Sequence, residues 1–244
     1  LGTAVQRRTP IVTDPRVRGS RIGQLAASGS HWVPARIDLD TPVNKIDSRL
    51  IEDVTVIAGP YTVLHGPALD FIDIELLQSP RFENGFEGHG TTGFDFSANG
   101  DQWSGLQRLW GGGSDWGFNA SYGHRTGNDY RTGSGNGIAS SYNSRDAFFT
   151  VGKDLWADDS IEFSVIRLDQ TGVEFPGYVF DMDYLVADAF ELRYVVRDKP
   201  LFDRLDLETW YNNTRFRGNA QNPSKRQQFP ILNFFRYNGF TEAE

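Results

Sequence analysis

The segment Ser30-His31-Trp32-Val33-Pro34-Ala35-Arg36 sets an imidazole, a planar aromatic and a guanidinium close together. Trp32 can stack on a flat or sugar-like ligand, and Arg36 can pair bidentately with a carboxylate or phosphate. The competing reading packs Trp32 inside the fold and gives Arg36 an internal partner. Tyr130 and Arg131, then Tyr178 and Tyr184, offer similar recognition chemistry in two segments expected to be long loops. Bond-making chemistry is thinly represented. His31, His65, His89 and His124 are widely spaced and form no metal-ligand cluster. The chain has no cysteine, which excludes a thiolate metal site and a cysteine nucleophile. Asp181 and Asp183 sit two apart with Glu174 nearby. A glycosidase needs two carboxylates at a set separation in a cleft. In a loop a solvated acidic stretch is the default reading, with Asp181 and Asp183 the candidate acids of a carbohydrate-cleaving alternative. Gly133-Ser134-Gly135-Asn136-Gly137 has neither the lysine-serine ending nor the strand-to-helix context of a phosphate loop. No cofactor and no enzymatic activity are expected.

These residues need a scaffold, and composition narrows it. Lys and Arg number 24 against 32 Asp and Glu, a net charge of −8 in 244 residues. A nucleic-acid partner is not expected, because phosphate binding calls for a basic face. There is no run of about 18 apolar residues, so membrane helices are excluded, whereas barrel strands, which alternate and average to a polar score, are not. The 26 glycines and the 14% aromatic content point to β structure with many turns. The chain opens on Leu1 and contains one methionine, Met182. The reading expects an internal piece of a longer protein.

Two textures follow one another. Residues 1–84 hold seven of the eleven prolines and read as a small α+β module. Its strands are expected at 54–57 and 71–76, with a short helix over 47–52 capped by Asn44 or Asp47. From Gly85 onward, alternating segments of about ten residues read as antiparallel strands: 92–98, 103–111, 116–123, 146–153, 160–168, 188–197 and 204–214. Asn99-Gly100 marks the first hairpin. In the later strands Ile161/Phe163/Val165, Phe190/Leu192/Tyr194/Val196 and Leu205/Leu207/Thr209/Tyr211 share one face. Glu162/Ser164, Glu191/Arg193 and Asp206/Glu208/Asn212 share the other. Connections alternate long and short, as in a transmembrane barrel with short periplasmic turns and long outer loops. Trp103, Trp110, Trp116, Tyr122, Trp156, Tyr194, Trp210 and Tyr211 fall near strand ends and are expected in interfacial girdles. A soluble aromatic-rich β-sandwich is the alternative.

Val17-Arg18-Gly19-Ser20-Arg21-Ile22-Gly23-Gln24 resembles the arginine-glycine-x-arginine motif of plug domains in TonB-dependent outer-membrane receptors. The stretch 51–66, in which a hydrophobic strand leads into Gly59-Pro60, Val63-Leu64 and Gly66, resembles the same family's plug pattern. The usual glycine pair before the last plug strand is replaced by Pro67-Ala68-Leu69-Asp70, the mark of a divergent branch, and no TonB box is present in this chain.

The resemblance implies a mostly β fold: a plug over 1–84, then over 85–244 the first antiparallel strands of a large, incomplete transmembrane barrel in the outer membrane. It implies energy-coupled uptake of a scarce solute, such as a ferric chelate (a siderophore complex), cobalamin or a saccharide. The implied partners are a periplasmic TonB-type coupling protein and outer-membrane lipid. Arg18 and Arg21 are expected to pair with lumen carboxylates such as Glu162, Glu191, Asp206 and Glu208. The backbone freedom of Gly19, Gly59 and Gly66 serves tight plug turns. The segment 30–36 becomes an apical plug loop, gripping solute with Tyr130, Arg131, Tyr178 and Tyr184 across the mouth. The rival remains a soluble all-β protein that binds or cleaves carbohydrate.

Overall fold

The computed structural model describes residues 3–17, 20–21, 24–27, 30–32, 45–65, 70–156, 159–178, 181–219 and 242–243. Strands β1 (Thr3–Thr9), β2 (Val12–Val17) and β3 (Ser20–Arg21) form a small antiparallel sheet. Strands β4 (Gln24–Ala27), β5 (Ser30–Trp32), β6 (Ile51–Ala58) and β7 (Asp70–Leu76) form a second, in the order β5-β4-β7-β6, with β4 and β7 parallel.

The predicted strands at 54–57 and 71–76 lie within β6 and β7. The predicted helix over 47–52 is a 3-10 turn, Ser48–Leu50, capped by the Asp47 side chain, which accepts from Arg49 N–H at 2.9 Å. It stops there because Val54-Thr55-Val56-Ile57, a β-branched run, extends the chain and pairs antiparallel with β7. Gly59 ends β6 at φ 77°, in the left-handed region where glycine carries no Cβ penalty, and starts the 3-10 segment Gly59–His65.

A wall of long strands follows: β8 (Glu87–Ser97), β9 (Gln102–Gly112), β10 (Trp116–Gly127), β13 (Tyr142–Trp156), β14 (Asp159–Val173), β15 (Asp181–Lys199) and β16 (Phe202–Asn219). The short pairs β11 (Tyr130–Arg131) and β12 (Gly137–Ile138) form a separate ribbon, and β17 (Glu242–Ala243) pairs with the end of β16. The wall is an antiparallel meander, β8-β9-β10-β13-β14-β15-β16-β17, and it is unclosed. Connections of two or three residues join β9 to β10, β13 to β14 and β15 to β16 at one end, and longer connections sit at the other. Asn99-Gly100 lies in a four-residue turn, with Gly100 at φ 87° and Asp101 at φ 43°.

Register divides the wall into two faces. Phe118, Ala120 and Tyr122 of β10 share a face with Phe149 and Val151 of β13, Phe163 and Val165 of β14, Phe190 and Leu192 of β15, and Leu207 and Tyr211 of β16. Many of these large apolar side chains are exposed. The opposite face carries Gly117, Asn119, Ser121 and Gly123, then Ser144, Thr150, Glu162, Ser164, Glu191 and Arg193, and it bears the inner module.

Trp110 and Trp210 belong to the inner face, not to an outer girdle. Trp110 stacks on His89 at 5.6 Å and lies under the Arg108 guanidinium at 4.3 Å, a cation–π contact suited to a polar interior, and Trp210 stands opposite Glu191. The inner module also packs on the wall through apolar side chains. One buried apolar cluster joins its Leu50, Ile72 and Ile74 to Phe148, Ile166 and Leu168 of the wall.

Candidate functional site

The 3-10 turn at 48–50 points a charged side chain toward the wall. Its tight winding lets Arg49 fold back on its own cap: Nε donates to Asp47 Oδ1 at 2.9 Å and Nη2 to Oδ2 at 2.7 Å. The same guanidinium lies 3.9 Å from Asp95 of β8. Burial opposes ionisation of Asp47, but the bonds and charge of Arg49 outweigh it and hold the carboxyl below its ordinary range. The Asp47 bonds in turn raise the Arg49 pKa. From β10, Arg125 donates to the Lys45 carbonyl and sits 3.5 Å from Asp146. Between these groups is a cleft of about 570 Å³, lined by Arg49, Asp95, Gln102, Arg125 and Tyr142 among others. Its chemistry is hydrogen bonding and charge pairing.

A second cavity of about 180 Å³ lies under β7, between Asp73 and Glu75 of the module and Glu162, Glu191, Arg193 and Glu208 of the wall. These include three of the four carboxylates expected to receive Arg18 and Arg21: Glu162, Glu191 and Glu208. Glu162 is taken by Ser79, which donates to it from N–H at 3.0 Å and from Oγ at 2.5 Å. Arg193 of the wall itself pairs with Asp206 at 3.5 Å and Glu208 at 3.3 Å. Arg18, Gly19, Arg36 and Gly66 lie outside the described residues, and Arg21 is described by its place in β3. Pro60 follows Gly59 in the 3-10 segment.

At the end of the wall with long connections, Tyr130 and Arg131 form β11 and pair with Ile138 and Gly137. Asn128 N–H donates to the Gly100 carbonyl at 2.7 Å, tying the first two connections together. The second and third meet at Ser141, whose N–H and Oγ donate to Glu174 at 3.1 and 2.8 Å. Ser140 and Ser141 N–H also donate to Asp129, at 2.9 and 3.2 Å. Burial first, then the neighbouring Glu174, raises the Asp129 pKa.

Tyr178 closes the turn after β14 and packs against the apolar cluster. Tyr184 is not in a loop: it sits in β15 opposite Thr171, in phase with the outward residues. His31 and Trp32 lie in β5, alongside β15 and β16, whereas Tyr130 and Arg131 rise between β10 and β13, in another sector of the wall. Sequence reasoning did not single out Arg49, Asp95 or Arg125. The alternation of β10, continued past Gly123, carries the signal for Arg125: it falls in phase with Gly117, Asn119 and Ser121.

No protein-family model and no curated protein matches the sequence. Solved structures do. The copper transporter OprC superposes with a TM-score of 0.80 at 21% identity, over 91% of this chain and 35% of its own. The siderophore receptor PirA from Acinetobacter baumannii gives 0.65 at 13%, over 85% and 34%. The FrpB iron transporter from Neisseria meningitidis, F5-1 variant, gives 0.62 at 13%, over 82% and 32%. The fold is that of the TonB-dependent outer-membrane receptors. At these identities the likeness concerns architecture. The chain spans about a third of the length of the receptors it matches. The long strands correspond to part of a receptor wall, with the small sheets on its inner face.

Proposed function

We propose that this chain is the plug, residues 1–84, and the first wall strands, residues 85–244, of an outer-membrane receptor that takes up a scarce solute under energy supplied by a TonB-type periplasmic protein. One observation carries the reading: the register turns a continuous band of large apolar side chains outward and seats a small mixed sheet on the polar inner face. An exposed apolar surface of that extent suits lipid and not water. It also disfavours the soluble carbohydrate-binding alternative.

The solute proposed is a metal ion or its chelate, in keeping with the names of the copper, iron and siderophore receptors that share the fold. Bond chemistry is not part of the proposal. The plug shifts between states that block and open a path, driven by differential binding of the solute and the coupling protein. Trp32 and Arg36 of the plug, with Tyr130 and Arg131 in the first long connection, are the residues proposed to grip the solute. Arg18 and Arg21 are proposed to lock the plug to the wall.

The test is uptake by cells with and without the gene, supplied with radiolabelled copper or with iron as a panel of chelates, each with and without a protonophore. Energy-dependent uptake that vanishes with the gene is the expected result. Uptake unchanged by the deletion across the panel overturns the reading. Once a solute is identified, Trp32→Ala and Arg36→Ala should each weaken binding about tenfold, about 1.4 kcal/mol.

A further inference from the structure

Between the plug and the wall, the chain's attachments change hands across one residue. Leu77 N–H still belongs to the plug and donates to the Leu50 carbonyl at 3.0 Å. Ser79 N–H already belongs to the wall and donates to Glu162 of β14, as does its hydroxyl. Gln78, between them, is exposed.

Beyond Ser79 the hold tightens. Arg81 meets Asp154 of β13 with two bonds, Nε at 3.1 Å and Nη2 at 3.0 Å. Its Nη1 turns back to the carbonyls of Ser79 and Pro80 at 3.1 and 3.3 Å. Phe82 N–H donates to the Gly113 carbonyl at 2.9 Å. The wall is shaped for this passage. Gly117 runs beneath the Pro80 backbone and Gly152 beneath Ser79 and Arg81, and at both a Cβ would collide. Ser79, Arg81 and Phe82 are held by directional bonds to three different wall segments, all at the end with the short connections.

The plug itself is tied differently. Its described contacts with the wall include apolar packing of Leu50, Ile72 and Ile74 on Phe148, Ile166 and Leu168, the Arg49–Asp95 pair at 3.9 Å, and the Arg125 bond to the Lys45 carbonyl. Apolar packing is non-directional and is lost strand by strand as a sheet is drawn out. An exposed ion pair at that separation holds little.

We propose that residues 79–82 are a fixed anchor and Gln78 is the hinge, so that a pull on the plug from its N-terminal side unravels at most the chain through β7 and stops at Gln78. Ser79, Arg81, Glu162 and Asp154 are then positioning residues that set where plug movement ends. This inference rests on the receptor reading above.

The experiment is force extension of the whole receptor in a lipid bilayer, pulled from the N-terminal side of the plug. At about 3.3–3.6 Å of length per residue, the released length reports the residue at which unravelling stops. The chain has no cysteine of its own, so introduced pairs are unique within it. The stop is expected at residue 78. It should not move when Ser79→Cys and Glu162→Cys are joined by a short thiol cross-linker. Joining Arg49→Cys to Asp95→Cys should cut the release back to residue 49. Glu162→Ala with Arg81→Ala should carry the stop forward toward Glu87, a change in position that a general loss of stability does not produce. A stop beyond Phe86 in the unmodified receptor, a release shortened by the 79–162 link, or a stop unmoved in the double alanine variant overturns the anchor. Solute uptake enters none of these readouts, so failure of the proposed transport and failure of the anchor are told apart.

Discussion

Asn99 and Arg131 exchange two hydrogen bonds: the Asn99 side-chain N–H donates to the Arg131 carbonyl at 2.9 Å, and Arg131 N–H donates to Asn99 Oδ1 at 2.7 Å. The side chain thus acts as a strand edge, capping β11 from the neighbouring turn. Each such bond contributes about 0.5–1.5 kcal/mol net. Asn99→Ala should therefore speed hydrogen exchange at the Arg131 amide about tenfold or more, with no change in the buried strands. Asn99→Asp, which keeps the acceptor and loses the donor, should fall between. Exchange as slow as in the parent for both variants would show that the ribbon is ordered by something else.

Two wall glycines face the plug segment, and they differ in what lies above them. A Cβ at Gly93 meets the tip of the Arg49 side chain, which can swing aside. A Cβ at Gly117 meets the Pro80 backbone, which cannot move without lifting the linker. Gly117→Ala is expected to cost about 1–3 kcal/mol, the range for overpacking, and Gly93→Ala well under that. Thermal unfolding of the two variants in detergent checks the order, and a larger loss at Gly93 would reverse it.

Asp47 and Asp129 should respond to pH with opposite signs. The folded pKa of Asp47 is lowered, so its contribution is present above the ordinary value of 3.8 and is lost as pH falls through the folded value. The Tm difference between parent and Asp47→Asn should be widest near neutrality and close in acid. The folded pKa of Asp129 is raised, so its contribution is full below 3.8 and is lost as pH rises through the folded value. Asp129→Asn, which imitates the protonated acid, should match the parent in acid and exceed its Tm near neutrality. Parallel pH profiles for the two variants would contradict the assigned environments.

Neighbours on β14 test the two faces. Phe163 points outward, and Ser164 points to the cavity shared with Glu162 and Glu191. Phe163→Arg should cost about 2–4 kcal/mol if it lies at mid-bilayer and lower the folded fraction in lipid vesicles. Ser164→Arg places its charge among carboxylates and should insert normally. Equal loss in both would remove the face assignment.

Much of this architecture was legible from residue order, because strand parity is a local property. Phe118, Phe149, Phe163, Phe190 and Leu207 fall on one face as soon as their strands are recognised, since side chains alternate whatever surrounds them. The Asn99-Gly100 turn is equally local, demanding positive φ at Gly100. The strand ends were less legible. Tyr184 reads as loop because Asp181 and Asp183 lie just before it, yet pairing with β14 carries β15 back past them.

What only the tertiary structure decided is which distant residues meet. Trp110 and Trp210 read as interfacial anchors by type. They face inward because each shares its parity with a charged neighbour, Arg108 and Glu208 respectively, and the wall curves that face around the plug. Ser79 and Glu162 are 83 residues apart, and Arg81 and Asp154 are 73 apart. Nothing in the order of residues between them sets those pairings. They exist because β9, β10, β13 and β14 stand side by side and present Gly113, Gly117, Gly152 and Glu162 where the linker crosses. That juxtaposition is a property of the assembled sheet, where register sums over several strands. A periodic pattern within any one strand carries no information about it.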